Sequence, residues 1–290
     1  MLPALLKTMR LRQWTKNGFV FFGLIFDKQL FLREPFLRTL AGFFLFCLIS
    51  SAVYLFNDIT DIEADRKHPE KKHRPLASGK LPVNVALITA VLLTAIVIPL
   101  GYYLLSPAFA LILAFYLIIN LLYSRWLKHV PILDVLIVSS GFVLRVGAGV
   151  ALITVERFSP WLYVITTLFS LYIGLGKRRA EMNLLAHGAS AHRKVFDGYT
   201  IPLLDQYITI VSGMTIITYS LYTFSAPNVP ENNSMMLTIP FVVYGIFRYL
   251  QLIQSGHAAG APDEVALKDR PLQVTVLLWG LAVIAIFYLS

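Results

Sequence analysis

The chain has 290 residues, of which 57% are hydrophobic and only 14% charged, with a formal net charge of +9. A soluble domain carries roughly 25% charged residues, so lipid is the expected solvent for much of this chain. The positive balance comes without any basic–aromatic module, which argues against nucleic acid and for an anionic membrane face or anionic substrates.

At the N-terminus, Lys7, Arg10, Arg12 and Lys16 precede the first apolar run, with no apolar core before a small-residue cleavage site, so no cleavable leader is expected. Nine membrane spans are expected, at 14–31, 36–56, 83–105, 108–124, 132–153, 159–176, 206–226, 235–254 and 271–289. Asp27 and Lys28 interrupt the first. Nearly charge-free runs of roughly 18–23 residues, rising ~1.5 Å per residue, cross ~30 Å of hydrocarbon. They are apolar all round and do not read as amphipathic surface helices. The expected fold is all-α: a polytopic membrane bundle of about nine helices, one domain over residues 1–290. Cys47 lies in an apolar run and reads as a buried structural thiol. Trp14, Trp126 and Trp161, near span ends, read as interfacial anchors.

The loops set the orientation. Nineteen of the 25 Lys and Arg fall on the N-terminus and on loops 57–82, 125–131, 177–205 and 255–270. Lys28, Arg33, Arg38 and Arg157 fall on the other side, and Arg145 and Arg248 lie inside spans. By the positive-inside rule the first side is cytoplasmic. It also holds the long polar loops, where function concentrates.

The most specific chemistry is Asn57-Asp58-Ile59-Thr60-Asp61-Ile62-Glu63-Ala64-Asp65-Arg66, at the end of the second span. If the helix continues, Asn57, Asp61 and Asp65 recur every four residues on nearly one face, with Asp58 beside them. Crowded carboxylates repel unless a cation sits among them, and hard oxygen donors suit Mg²⁺, which bridges carboxylate to phosphate. The plainer alternative is a solvated helix end whose acids pair with Arg66 and Lys67. Six cations follow between Arg66 and Lys80. They read as a positive-inside loop or as a polyphosphate clamp, with Arg74 the best candidate for bidentate phosphate contact. In hydrocarbon an arginine costs at least ~2.5 kcal/mol, so Arg145 and Arg248 should face the bundle interior and a partner. Asp134 is roughly 16 Å from Arg145 along one helix, too far for a pair, so another helix or a ligand is expected there.

The aspartate motif, Arg74-Pro75-Leu76-Ala77-Ser78-Gly79, and Tyr123-Ser124-x-x-Leu127-Lys128 with Asp134 resemble the UbiA superfamily of intramembrane prenyltransferases. The finer resemblance is to its polyprenyl-phosphate (decaprenyl-phosphate) phosphoribosyltransferase branch. It rests on Arg12-Gln13-Trp14-Thr15-Lys16-Asn17, Gly176-Lys177-Arg178-x-x-Glu181, Phe247-Arg248-Tyr249, and the run from Gly260 through Asp269-Arg270 to Gln273. Ordinary members carry a second Asp-rich motif near the inner end of the sixth span. Here that place reads Gly174-Leu175-Gly176-Lys177-Arg178-Arg179-Ala180-Glu181: one acid and three cations. The change of sign suits two anionic substrates. The alternative is a membrane-face cap, to which Arg179 is assigned first.

The resemblance implies Mg²⁺-dependent transfer of 5-phosphoribose from phosphoribosyl pyrophosphate to a polyprenyl phosphate, for cell-envelope precursors. Asp58, Asp61 and Asp65 are the expected catalytic residues and, with Asn57, the metal ligands. Expected substrate contacts are Lys16, Asn17, Asn57, Arg66, Arg74, Tyr123, Lys128, Arg145, Lys177, Arg178, Glu181, Arg248, Asp269 and Arg270. The expected setting is the inner, plasma membrane, amid membrane lipids, with the site facing the cytoplasm and a homo-oligomer left open. The rivals are a quinone-type or haem-type aromatic prenyltransferase, against which the thin second acidic motif argues, and a non-enzymatic lipid transporter or scaffold.

Overall fold

The structure is a computed structural model that describes the whole chain except residues 69–70, 156–158, 187–193, 256–267 and 290. Arg157, Arg193 and the motif positions from Gly260 to Leu267 lie outside the described residues. Among the described residues the secondary structure is helical: α1 (Leu2–Thr8), a 3₁₀ segment (Leu11–Val20), α2 (Phe21–Phe26), α3 (Arg33–Thr60), α4 (Ile62–Lys67), α5 (Val83–Leu100), α6 (Pro107–Arg125), α7 (Leu133–Val150), α8 (Pro160–Ala186), α9 (Ile201–Ser225), α10 (Ile239–Gln254) and α11 (Arg270–Leu289). Seven of the described helices are long and apolar enough to cross a membrane: α3, α5 with its π extension Gly101–Leu105, α6, α7, α9, α10 with the 3₁₀ turn before it, and α11.

The two remaining expected spans differ from expectation in instructive ways. Residues 14–31 do not form one α-helix. They begin in the 3₁₀ segment, pass through the short α2, and turn at Lys28, whose φ of 58° is left-handed. Thr15, Asn17 and Gly18 favour helix poorly, and Asn17 spends its side chain on other elements. At ~2.0 Å per residue in the 3₁₀ part and ~1.5 Å in the α part, the helical stretch counted from Leu11 to Phe26 has a contour of roughly 30 Å. The expected span at 159–176 lies in α8, which has 27 residues. Thr166, Thr167, Ser170 and Tyr172 dilute its apolar content, and α8 continues past the expected boundary to Ala186.

Helix starts follow the local chemistry. Ser106, Thr200 and Asp269 each accept a hydrogen bond from the backbone N–H three residues on, at 3.1, 3.2 and 2.9 Å. Each has a proline in the first helical turn, where its missing N–H costs nothing. Pro99 sits inside α5 and is followed by the π stretch, the adjustment a helix makes around a lost hydrogen bond.

The chain divides into two compact units. The first comprises Met1–Ile25, Gln29–Ile137 and Gly141–Val155; the second comprises Phe26–Lys28, Val138–Ser140 and Glu156–Ser290. The first unit packs Val20, Phe46, Ile49, Phe109, Leu113, Ala148 and Leu152 into one cluster. A side chain at Gly149 would overlap the Val20 carbonyl oxygen, so only glycine lets the 3₁₀ segment lie against α7. Arg38 donates to the carbonyls of Leu152, at 3.1 Å, and Leu105, at 2.6 Å. A cation there satisfies carbonyls that helix ends leave without an intrahelical partner. In the second unit buried tyrosines tie helices together. Tyr172 donates to the Ile246 carbonyl at 2.6 Å, and Trp279 donates to the Tyr219 hydroxyl at 2.8 Å. Cys47 is buried and free, as expected.

Candidate active site

The membrane helix α3 delivers Asn57 and Asp58 in its last turn and stops at Thr60. Asp61 leaves helical geometry at φ −98° and ψ 5°, and α4 begins at Ile62. The single acidic face expected from the spacing is therefore broken at its middle residue. Hydrogen bonds still step across the break, from Asp61 N–H to the Asn57 carbonyl at 3.0 Å and from Asp65 N–H to the Asp61 carbonyl at 2.8 Å. The break re-sorts the acids. Asp58 and Asp65 share one partner, Arg74, while Asp61 takes another, Lys128.

Arg74 reaches both buried carboxylates with one guanidinium nitrogen, at 3.2 Å from Asp58 and 2.7 Å from Asp65. What aims it is the apolar part of its own loop. Leu76 and Leu81 are buried in a cluster with Met9, Ala52, Leu55, Ala86 and Ala90. Between them the chain closes a turn, with Leu81 N–H on the Pro75 carbonyl at 3.0 Å and Gly79 at φ +75°, a left-handed position that suits glycine. So the loop from Arg74 to Leu81 places a cation by burying two leucines. Arg66 has a plainer part and braces the loop, bonding Glu63 at 2.8 Å and the Ala77 carbonyl at 3.3 Å.

The turn after α6 supplies Lys128, whose Nζ is 2.5 Å from Asp61. Ser124, one turn earlier, donates to the Asn57 side-chain carbonyl at 2.8 Å. Neighbouring Tyr123 and, in the N-terminal segment, Lys16 are both half-buried. The last member is one that the sequence marks only as a topology signal. Arg10 lies 2.5 Å from Asp58, with its guanidinium 4.6 Å from the centre of the Tyr54 ring. Tyr54 in turn donates to Gln13 at 2.8 Å. Arg10 has a left-handed backbone, φ 53°. That conformation is uncommon outside glycine, and no sequence pattern advertises it.

Among the described residues no three His, Cys, Asp or Glu side chains converge as a ready-made metal cage. The hard oxygens are there, however, and a positive charge already bridges two of the carboxylates. Hard oxygens of this kind are the donor type that divalent cations take, and here Arg74 neutralises two of them.

Other expected site residues serve the scaffold. Asn17 and Arg145 are both buried and bond each other at 2.7 Å. Arg145 also donates to the Gly141 carbonyl at 2.6 Å and the Tyr116 hydroxyl at 3.0 Å, and lies over the rings of Phe46, Tyr116 and Phe142. Its partners are thus neutral groups from several elements. Trp14, expected at the interface, donates to buried Ser51 of α3 at 3.1 Å.

In the second unit, Lys177, Arg178 and Arg179 lie within α8 instead of opening a loop. Arg178 is buried and 2.5 Å from Glu181, while Lys177 is half-buried. Arg179, expected as a membrane-face cap, is buried. It bonds Asp205 of α9 at 2.5 Å and the Ile253 carbonyl of α10 at 3.3 Å, so it braces three helices. Gly176 makes room beside it, because a side chain there would press on Tyr249 and Ile253. Arg248 makes a two-point pair with Asp269, at 2.8 and 3.2 Å. That pair, with the backbone N–H of Leu272, holds the Asp269 carboxyl below its usual range. Arg270 is exposed at the start of α11.

A family model described as the UbiA prenyltransferase family matches residues 18–268. A decaprenyl-phosphate phosphoribosyltransferase from Corynebacterium glutamicum is 34% identical over 99% of this chain and 87% of its own length. Among solved structures, a digeranylgeranylglyceryl phosphate synthase superposes with a TM-score of 0.69 at 19% identity, covering 100% of this chain and 99% of that one. A UbiA homolog from Archaeoglobus fulgidus bound to DMAPP and Mg²⁺ gives 0.66 at 17% identity, covering 97% and 99%. At such identities these two speak for the fold.

Proposed function

The chain belongs to the UbiA prenyltransferase family, and from that premise we propose that it transfers 5-phosphoribose from phosphoribosyl pyrophosphate to a polyprenyl phosphate, releasing pyrophosphate. It is a multi-pass membrane protein. The observation that carries the reading is the identity along nearly the whole chain to a decaprenyl-phosphate phosphoribosyltransferase. The basic α8 segment 177–179, in place of a second acidic motif, supports it.

An oxygen of the acceptor phosphate bonds to the ribose C1 as the C1–O bond to pyrophosphate breaks, and the leaving group departs with the electron pair. The acceptor oxygen is already ionised at neutral pH, so no strong general base is needed. The protein's work is to orient two anions and neutralise their charge. Asp58, Asp61 and Asp65, with Asn57, are the residues that would hold Mg²⁺. When bound, the ion supplies Lewis-acid stabilisation of the pyrophosphate. Arg74 and Lys128 bind phosphate oxygens, with Lys16 and Tyr123 beside the same region of sequence motifs. Lys177 and Arg178, the latter paired with Glu181, are further cations for phosphate. Asn17, Arg145, Arg66, Arg248 and Asp269 hold the scaffold. The positive-inside distribution supports a site on the cytoplasmic face of the plasma membrane. One membrane domain does this work, serving cell-envelope precursor synthesis, and the family match runs through both units.

The test is a paired assay on purified protein with Mg²⁺. One arm holds labelled phosphoribosyl pyrophosphate and a polyprenyl phosphate, the other a prenyl diphosphate and hydroxybenzoate. Product from the first arm is expected, and product from the second alone would overturn the proposal.

A further inference from the structure

We infer that Arg10 and Lys128, with Arg74, are built-in counter-ions of the acidic motif that compete with the divalent metal for its carboxylates and hand over to the diphosphate, so that metal and diphosphate bind with strong mutual dependence. This rests on the metal-and-diphosphate part of the proposed function and adds Arg10 to its machinery.

Charge balance is the first argument. Asp58, Asp61 and Asp65 face Arg10, Arg74 and Lys128, three negative groups against three positive ones. Asp58 is 2% exposed and Asp65 4%, so their charges depend on these partners and not on water. A divalent ion taking the same oxygens strands two guanidinium groups and an ammonium without partners at a membrane helix end, which is costly. A diphosphate arriving with the ion removes that cost, because it offers the freed cations a new anion with matching geometry.

Geometry is the second. The pairs around Asp58 and Arg74 are shared, and the Lys128–Asp61 pair stands beside them on a half-buried surface. One Asp58 oxygen, Oδ1, receives Arg10 and Arg74 together, and one Arg74 nitrogen serves two acids. Removing either partner from such a cluster leaves the rest in place. Arg10 is also held from behind. Its left-handed backbone and the Tyr54 ring keep the guanidinium at the acid, so a handover moves the tip of the side chain and not the chain. Lys128 stands on a short 3₁₀ turn, with its flexible stem half-buried.

The experiment measures Mn²⁺ binding to the purified full-length protein by the loss of free-ion electron paramagnetic resonance signal, with and without inorganic pyrophosphate. A protein-free control corrects for the ion–pyrophosphate complex. Wild type should bind Mn²⁺ weakly alone and roughly 5-fold or more tightly with pyrophosphate, the range of a coupling between sites. Arg10→Gln and Lys128→Gln should each bind Mn²⁺ more tightly than wild type without the anion and gain less from pyrophosphate. Arg10→Lys should stay near wild type. If Arg10→Gln does not fold, the Lys128→Gln arm decides alone. Variants that bind Mn²⁺ no better than wild type, or gain equally from pyrophosphate, overturn the inference while leaving the metal reading intact. Wild type that takes up no Mn²⁺ even with pyrophosphate overturns both. Coupled binding with the predicted variant effects, in a protein that fails the phosphoribosyl-transfer assay, supports the counter-ions and sinks only the reaction.

Discussion

The two units carry their charges in opposite styles. In the first, acids and cations at the end of α3 are shared: Asp58 serves two arginines and Arg74 serves two aspartates. In the second, among the described residues, the ion pairs run one arginine to one acid, Arg178 with Glu181, Arg179 with Asp205 and Arg248 with Asp269. Two of these pairs, those of Arg179 and Arg248, tie one helix to the next. Sharing leaves Asp58 and Arg74 each a second partner, which suits groups that must change partners during a reaction. Arg145 forms a third style, a buried cation held by a carbonyl, an amide, a hydroxyl and aromatic faces.

Four measurements would break or sharpen this contrast. Asp61→Asn removes the acid of the first unit's cluster that Lys128 holds, and turnover should fall about 10²–10³-fold with the melting temperature nearly unchanged. A large loss of stability instead would put the shared cluster in the scaffold class. Arg145→Met should do the reverse. It removes charged hydrogen bonds in a buried site, lowering stability by about 2–3 kcal/mol, while the KM for phosphoribosyl pyrophosphate in the correctly folded fraction stays put. Next, Arg179→Gln should cost about 1–2 kcal/mol with activity retained, whereas Arg178→Gln should raise KM for an anionic substrate. Equal KM effects would erase the distinction drawn within the basic segment. The smallest effect concerns Asp269. Its carboxyl is held below the usual range, so its contribution is complete above the unfolded value of about 3.9 and is lost as pH falls through the lower folded value. The melting-temperature difference between the wild type and Asp269→Asn should therefore hold constant from pH 7 down to about pH 4 and shrink below it.

The chemistry of the acidic motif is legible because four-residue spacing and carboxylate crowding are properties of the sequence itself. Arg74 and Lys128 are legible as cations near that motif, though not as partners of particular acids. The break at Asp61 is not, since periodicity assumes the helix it tests. Arg10 is invisible for a related reason: its role depends on a left-handed backbone and on Tyr54, and a linear reading sees one more positive charge before a span. Arg179 reads wrongly as a cap because three cations after an apolar run look like a helix end. The helix runs on to Ala186, and the partner, Asp205, lies 26 residues ahead. Hydropathy finds the apolar stretch at 14–31 but not its hydrogen-bond register, which is why a 3₁₀ segment stands in place of an α-helix.

Leu76 and Leu81 have a consequence outside the reaction itself. They are the apolar footing on which Arg74 stands, and neither carries any charge or resembles any part of a phosphate site. Whatever loosens that apolar footing therefore acts on the charged cluster through Arg74, although it touches no charged group itself.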